Sequence, residues 1–216
     1  APRLTYVLEP EGRDTAAAIA AAALAVERQH GADAVMCVFP ADHMVSDTEA
    51  FVAAMGRAIE LARSGRLVTF GITPTRAETG YGYIEASGTD VLRFVEKPDA
   101  ATAERYLASG TFFWNSGMFC FTAGTMIALL GEFAPDILDG CRKALDAARR
   151  VEGEAVTQLE LDRQAFADVR KDSIDFAVLE KARNVSVVAC DLGWGDIGSW
   201  TAYGELLPKD AEGNNV

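Results

Sequence analysis

Two aspartates stand where open α/β sheets usually house their chemistry. Asp42 follows the apolar run Val35-Met36-Cys37-Val38-Phe39-Pro40, and Asp196 follows the run 185–192 within Gly193-Trp194-Gly195-Asp196-Ile197-Gly198. Short apolar runs flanked by helical patterns read as central strands buried on both faces of a parallel sheet. Ligands bind beyond the carboxyl ends of such strands. Two carboxylates converging there suit a magnesium ion, which takes one or two protein carboxylates and completes its shell with phosphate oxygens. Gly195 and Gly198 let a ligand approach the backbone closely. Each aspartate also has a plainer reading, a turn cap for Asp42 and a helix N-cap for Asp196. Their shared place after buried strands favours the metal.

Other residues could serve the same chemistry. In Phe94-Val95-Glu96-Lys97-Pro98 a lysine at a strand end can meet a phosphate as a point charge, or form only a surface ion pair of little worth. Asn115 interrupts the aromatic run 112–121, where a buried amide needs a partner. A sugar hydroxyl and a backbone group in a bulge both qualify. Tyr81, between Gly80 and Gly82, has the same two readings. Asp175 falls in a first helical turn, where a carboxylate is favourable with no further role. His43 beside its turn reads as structural. No G-x-G-x-x-G, P-loop, G-x-S-x-G or zinc spacing is present, which weakens dehydrogenase, kinase, esterase and zinc-hydrolase readings.

The elements that must position these residues alternate. A strand over 4–8 precedes an alanine-rich helix over 15–30, with Asp14 or Thr15 as N-cap and Gly31 as stop. Ser46-Asp47-Thr48-Glu49 has the capping-box pattern and opens a helix to about 64. Its Phe51, Val52, Met55, Ile59 and Ala62 recur at helical spacing. Strands over 67–72, after Gly82, over 91–96 and over 112–121 follow, with a helix from Asp99 to about 109. Helices are expected over 123–132, 137–150, 159–169 and from Ser173 to a left-handed stop at Asn184. A last strand covers 185–192 and a helix begins near Ser199. The alternation predicts an α/β fold with right-handed parallel crossovers.

Composition narrows the partners. The 216 residues carry 32 acidic and 20 basic side chains, a net charge of −12, which argues against nucleic acid or anionic lipid. No apolar run is long enough to span a bilayer. Cys37, Cys120, Cys141 and Cys190 show no metal spacing. Three lie in apolar strand-like runs, as buried free thiols of a reducing, cytoplasmic compartment would.

Six stretches share an order with one family. Glu9-Pro10-Glu11-Gly12-Arg13-Asp14-Thr15, Pro40-Ala41-Asp42-His43, Phe94-Val95-Glu96-Lys97-Pro98, Trp114-Asn115-Ser116-Gly117-Met118-Phe119, Ser173-Ile174-Asp175-Phe176 and Trp194-Gly195-Asp196-Ile197-Gly198-Ser199-Trp200 occur as in mannose-1-phosphate guanylyltransferases. The chain resembles that family over essentially its whole length. Some bacterial members are fused to a mannose-6-phosphate isomerase. The resemblance implies a Rossmann-like nucleotide-sugar transferase fold, a mixed and mostly parallel sheet flanked by helices. It implies Asp42 and Asp196 as Mg²⁺ ligands, Lys97 on the sugar phosphate, and Glu96, Gly82 and Asn115 at the sugar, with Asp175 near the same pocket. Glu9, Arg13, Asp14 and Thr15 would face the nucleotide base. The implied reaction joins GTP and mannose 1-phosphate into GDP-mannose.

The departures are equally specific. The family's Gly-Gly-x-Gly-Thr-Arg-Leu signature is absent from these residues, Asp14 replaces Asn, Ala17 replaces Pro and Phe176 replaces Tyr. The expectation is a nucleotidyltransferase domain over 1–207, lacking its first strand and Gly-rich loop, with 208–216 as linker or tail. Such a chain alone would have little activity, and pairing into a homodimer is one way to cover its open sheet edge. A pyrophosphorylase for another sugar nucleotide, such as dTDP-glucose, is an alternative. Glu9 and the stretch 194–200 favour guanosine and mannose. A non-catalytic nucleotide-sugar binding subunit is a third reading, against which the two retained aspartates and Lys97 argue.

Overall fold

The computed structural model describes residues 3–198 together with Gly204 and Asp210. The expected helix near Ser199 and most of the tail over 208–216 lie outside the described residues. In chain order the elements begin with β1 (Leu4–Leu8), α1 (Asp14–His30), β2 (Val35–Val38), β3 (His43–Val45), α2 (Thr48–Arg63) and β4 (Leu67–Ile72). They continue with β5 (Tyr83–Ser87), β6 (Asp90–Val95), α3 (Ala100–Ser109), β7 (Phe112–Thr122), α4 (Ala123–Phe133) and α5 (Pro135–Asp146). The last are β8 (Arg149–Glu152), β9 (Val156–Glu160), α6 (Arg163–Ala167), a π-helical turn (Asp175–Leu179), β10 (Val185–Cys190) and β11 (Trp194–Asp196). The fold is α/β with mixed sheets, in the hydrogen-bonded orders β1-β9-β8, β2-β7-β4-β10-β6-β5 and β11-β3. Among the described residues no helix is long and apolar enough to cross a membrane.

Two compact units emerge. The first comprises Ala1–Cys37, Ile59–Val68 and Cys120–Ser186. Its heart is α1, which packs against α4 and α5 through Ala16, Ala17, Ala20, Ala21 and Ala23, all fully buried. Alanine combines high helix propensity with a small side chain, so neighbouring backbones approach closely; Cys141 Sγ donates to Ala17 O at 3.5 Å. Gly31 closes the helix at φ 87°, its N–H donating to Glu27 O. The N-terminus is built differently from the expectation. The N-cap is Arg13 and makes no side-chain cap, because Thr15 Oγ1 instead accepts from Ile174 N at 2.9 Å.

This unit also corrects the helical reading of 137–150 and 159–169. Helix α5 ends at Asp146, and residues 149–160 form the hairpin β8–β9, whose strand β9 also pairs parallel with β1 and so lies between the two. Gly153 is the turn signal, and Arg149 faces Glu160 across the hairpin in a two-pronged ion pair at 2.8 and 2.5 Å. Cross-strand pairing outweighs the modest helix propensity of these residues. Asn184 does not stop a helix in the left-handed region, since among the described residues only Asp14 and Lys97 have positive φ without being glycine. Its side chain donates to Gly65 O at 3.0 Å.

The second unit comprises Val38–Ala58, Thr69–Phe119 and Val187–Val216. Asp47, one residue later than the capping-box reading, caps α2 by accepting from Ala50 N at 2.9 Å. The buried stripe of α2 is Ala54, Ala58 and Ala62, while Val52 is exposed. Strands β5 and β6 pair antiparallel, as expected for the chain around Gly88. Asp99 accepts from Thr102 N and Gly110 closes α3 at φ 68°.

The strand leading to Asp42 is not central. β2 lies at one end of its sheet order, only Met36 is buried in it, and Phe39 is 45% exposed. The strand buried along its whole length is β4. Cys37 is therefore exposed, with its Sγ 3.7 Å from the buried Cys120. The Cys120 thiol as donor lowers Cys37 to about 7, whereas burial pushes Cys141 up to about 12 and Cys190 up to about 11. The thiolate is the nucleophile. Iodoacetamide is expected to modify Cys37 first, with a rate rising through a midpoint near pH 7, as peptide mass spectrometry would read. Equal labelling of Cys141 would contradict this packing.

Candidate active site

The metal candidates are brought together by a feature the sequence did not announce. β3 and β11 form an antiparallel ribbon with Asp196 opposite His43, Gly195 opposite Met44 and Trp194 opposite Val45. Asp42 immediately precedes β3, and its carbonyl accepts from Ile197 N at 3.1 Å. At the other end of the ribbon, Gly193 has φ 55°, and a Cβ there would lie 1.9 Å from Ser46 Oγ. The turn therefore requires glycine on both conformational and spatial grounds. Gly198 N–H donates to Asp196 Oδ1 at 2.8 Å. A Cβ on Gly198 would stand 2.9 Å from Asp196 Oδ1 and 3.7 Å from Asp42 Oδ2. The two carboxylates thus converge on one small space that a side chain would fill.

His43 braces this arrangement. Trp194 Nε1–H donates to His43 Nδ1 at 3.2 Å, and the rings meet edge to face at 5.1 Å. The neutral imidazole then carries its proton on Nε2, which lies 4.0 Å from Asp42 Oδ1. The structural reading of His43 agrees with this geometry, although it adjoins the site; Trp194 opening a glycine-rich turn was the available signal.

Gly82, Glu96, Lys97 and Asn115 form a second group in the same unit. Asn115 N donates to Gly82 O at 2.8 Å, and a Cβ on Gly82 would meet Glu96 Oε2 at 2.6 Å. Asn115 Oδ1 accepts from Thr69 Oγ1 at 2.9 Å and Gly117 N at 3.4 Å. The amide thus has partners within its own sheet, and β7 runs unbroken through it with Gly117 at φ 69°. Lys97 holds φ 43°, a conformation that costs a non-glycine residue on the order of 1 kcal/mol and clusters at functional sites. Its Nζ lies 3.2 Å from Glu96 Oε1, with side chains 63% and 21% exposed. Tyr81, whose phenol is pushed up by burial and by the Asp196 carboxylate, stands between Trp114 and Trp194.

Glu9, Arg13, Asp14, Thr15 and Asp175 all belong to the first unit. Glu9 Oε1 is buried with no hydrogen-bond partner among the described atoms, and burial raises its pKa. Arg13 Nη2 donates to Glu11 Oε1 at 2.8 Å and to Ala167 O, leaving its buried Nε unpaired. Asp14 holds φ 69° with Oδ1 accepting from Thr15 N. Thr15, by gripping Ile174 N, ties the start of α1 to the segment carrying Asp175.

A model of the Nucleotidyl transferase family matches residues 2–213. The chain belongs to that family. Among individual relatives, the xanthan biosynthesis protein XanB of Xanthomonas campestris is 49% identical over 212 residues, 96% of this chain and 44% of that protein. The mannose-1-phosphate guanylyltransferase of Escherichia coli is 44% identical over 219 residues, 96% of this chain and 45% of that protein. The chain spans less than half the length of these relatives. A solved structure named mannose-6-phosphate isomerase from Helicobacter pylori is similar at 35% identity and a TM-score of 0.83, covering 90% of this chain and 75% of that one. One named mannose-1-phosphate geranyltransferase from Thermus thermophilus is 36% identical with a TM-score of 0.78, covering 94% and 58%.

Nucleotidyl transferases typically use a divalent metal. In this nucleotidyl transferase no group of three or more potential ligands occurs among the described residues. The pair converging beside Gly198 fits a hard cation that takes one or two protein carboxylates and fills its shell from phosphates and water.

Proposed function

We propose that the natural protein containing this chain transfers GMP from GTP to mannose 1-phosphate, giving GDP-mannose and pyrophosphate, with Mg²⁺ held by Asp42 and Asp196. The observation that carries the proposal is the convergence of these two carboxylates beside Gly198. The Gly82, Glu96, Lys97 and Asn115 group in the same unit supports it. In this reading a phosphate oxygen of the sugar attacks the α-phosphorus and pyrophosphate leaves in line. Both reactants are anions, so positioning and charge neutralisation supply most of the acceleration, and no protein nucleophile is required. The bound cation would supply charge neutralisation at the phosphates. Lys97 orients the sugar phosphate, and Glu96 and Asn115 face sugar hydroxyls.

Glu9 is assigned to the guanine, with Arg13, Asp14 and Thr15 shaping the turn after it. An ionised carboxylate accepts from both N–H groups on guanine's pairing edge, and the buried Glu9 Oε1 is an acceptor awaiting a donor. Hydrogen bonds to charged groups contribute about 1.5–3 kcal/mol, so Glu9→Gln is expected to raise the KM for GTP roughly 10- to 100-fold in steady-state kinetics. Because the folded pKa lies above 4.5, the stability linked to its protonation is full below 4.5 and lost as pH rises through the folded value. Glu9→Gln is therefore expected not to lower the unfolding free energy at neutral pH. GTP affinity in the wild type should weaken as the pH falls through that raised value.

The test is product identification by ³¹P NMR with GTP, mannose 1-phosphate and Mg²⁺, using the natural protein. GDP-mannose and pyrophosphate are the expected products. Products only from dTTP and glucose 1-phosphate would favour another pyrophosphorylase, and binding without products a non-catalytic subunit.

A further inference from the structure

One side chain touches both the sugar group and the carboxylate ribbon. The Tyr81 ring meets Trp194 edge to face, with centroids 5.3 Å apart and planes at 71°. It meets Trp114 in the same manner at 5.4 Å and 77°. Both contacts have the geometry in which aromatic quadrupoles attract. Beyond Trp194 lies His43, held through the indole N–H, with Asp42 adjacent in sequence and Asp196 opposite across the ribbon. Beyond Trp114 lies Asn115, whose backbone holds Gly82.

The loop bearing Tyr81 has little freedom to absorb a change. Gly80 N donates to Glu78 Oε1 at 3.0 Å, and Glu78 N donates to Tyr83 Oη at 2.9 Å. On the other side Gly82 has no room for a Cβ against Glu96 and Phe94. A shift of the Gly82–Asn115 backbone is therefore passed to the Tyr81 ring, and from that ring to Trp194.

We infer that Tyr81 is a positioning residue that couples the group at Gly82 and Asn115 to the cation pair Asp42 and Asp196, through Trp194 and His43. The names of the two ligands rest on the proposed function; the aromatic path does not. Occupancy of the sugar group then raises cation affinity, and by linkage the cation raises sugar-phosphate affinity by the same factor.

The experiment uses the natural protein and Mn²⁺ as the probe cation. Free Mn²⁺ is read by electron paramagnetic resonance with and without saturating mannose 1-phosphate. The coupling is the ratio of the two dissociation constants. Couplings between sites are typically about 5- to 150-fold, and the wild type is expected to show a ratio near tenfold. Tyr81→Leu, with folding verified by circular dichroism, should bring the ratio close to one. Tyr81→Phe, which keeps the ring, should restore most of it. Trp194→Phe, which keeps a ring but removes the N–H to His43, should give an intermediate ratio. A merely structural role would weaken both affinities and leave the ratio unchanged. A wild-type ratio of one, or an undiminished ratio in Tyr81→Leu, overturns the inference. The transferase reading stands or falls separately on the ³¹P product assay.

Discussion

Asp196→Asn is expected to lower GMP transfer by the natural protein about a thousandfold at fixed Mg²⁺, the scale seen when a preorganised electrostatic group is removed from a transition state. The substitution isolates charge from shape. Asn keeps an oxygen able to accept from Gly198 N–H, which now donates to Asp196 Oδ1 at 2.8 Å. The ribbon with His43 is held by backbone pairing and so should persist. What disappears is half of the negative charge facing the space beside Gly198. Asp42→Asn should act in the same direction. Its side chain is 65% exposed, but its carbonyl, which holds Ile197, is untouched. In the proposed site the two carboxylates act as a unit, so the double variant should be little worse than either single one. Pyrophosphate release measured across a Mg²⁺ titration checks all three variants. Turnover of Asp196→Asn within twofold of wild type would remove the metal from the account.

Gly82→Ala is the second large effect. Its new Cβ would stand 2.6 Å from Glu96 Oε2, 3.0 Å from Phe94 Cζ and 3.4 Å from Asn115 Cβ. Glu96 can swing its carboxylate away from the new methyl group, but doing so breaks its 3.2 Å ion pair with Lys97 Nζ. One methyl group thereby displaces the residues proposed to meet the sugar and its phosphate. Overpacking typically costs about 1–3 kcal/mol of stability. The KM for mannose 1-phosphate is expected to rise by about 10- to 100-fold, since about 1.4 kcal/mol of lost binding is tenfold. Gly80→Ala is the control. Its Cβ meets only the end of Glu78, at 3.3 Å, and it should change KM little. Equal effects from the two substitutions would point to loop flexibility rather than to the Glu96 contact.

What the sequence made legible was mainly the local chemistry. The alanine-rich helix, the cap at Asp99, the antiparallel pair around Gly88 and the residues of the carboxylate pair could all be read from residue types. Tertiary pairing could not. β2 looked central because its run is apolar, yet its place in the sheet depends on which strands stand beside it. The two ends of the hairpin over residues 149–160 read as the ends of flanking helices, and its middle as a connection, because charged and β-branched residues alternate there without a strong period. Pairing of Arg149 with Glu160, and of β9 with β1, decides it. Asn115 was expected to meet a sugar hydroxyl or a backbone group; its Oδ1 accepts from the Gly117 backbone and also from the Thr69 hydroxyl, far away in sequence, which neither reading named. The brace of His43 by Trp194 spans 151 residues, and no spacing rule reaches that far.

The measurement that most directly tests the proposed activity is kcat/KM for GTP against dTTP, each with mannose 1-phosphate and Mg²⁺, on the natural protein. A buried carboxylate matched to guanine's N–H groups leaves a wrong base with unpaired partners, a loss that can exceed about 100-fold. A preference for GTP of at least that size is expected, falling sharply in Glu9→Gln. Comparable kcat/KM for the two nucleotides, or no pyrophosphate release from either, would contradict it.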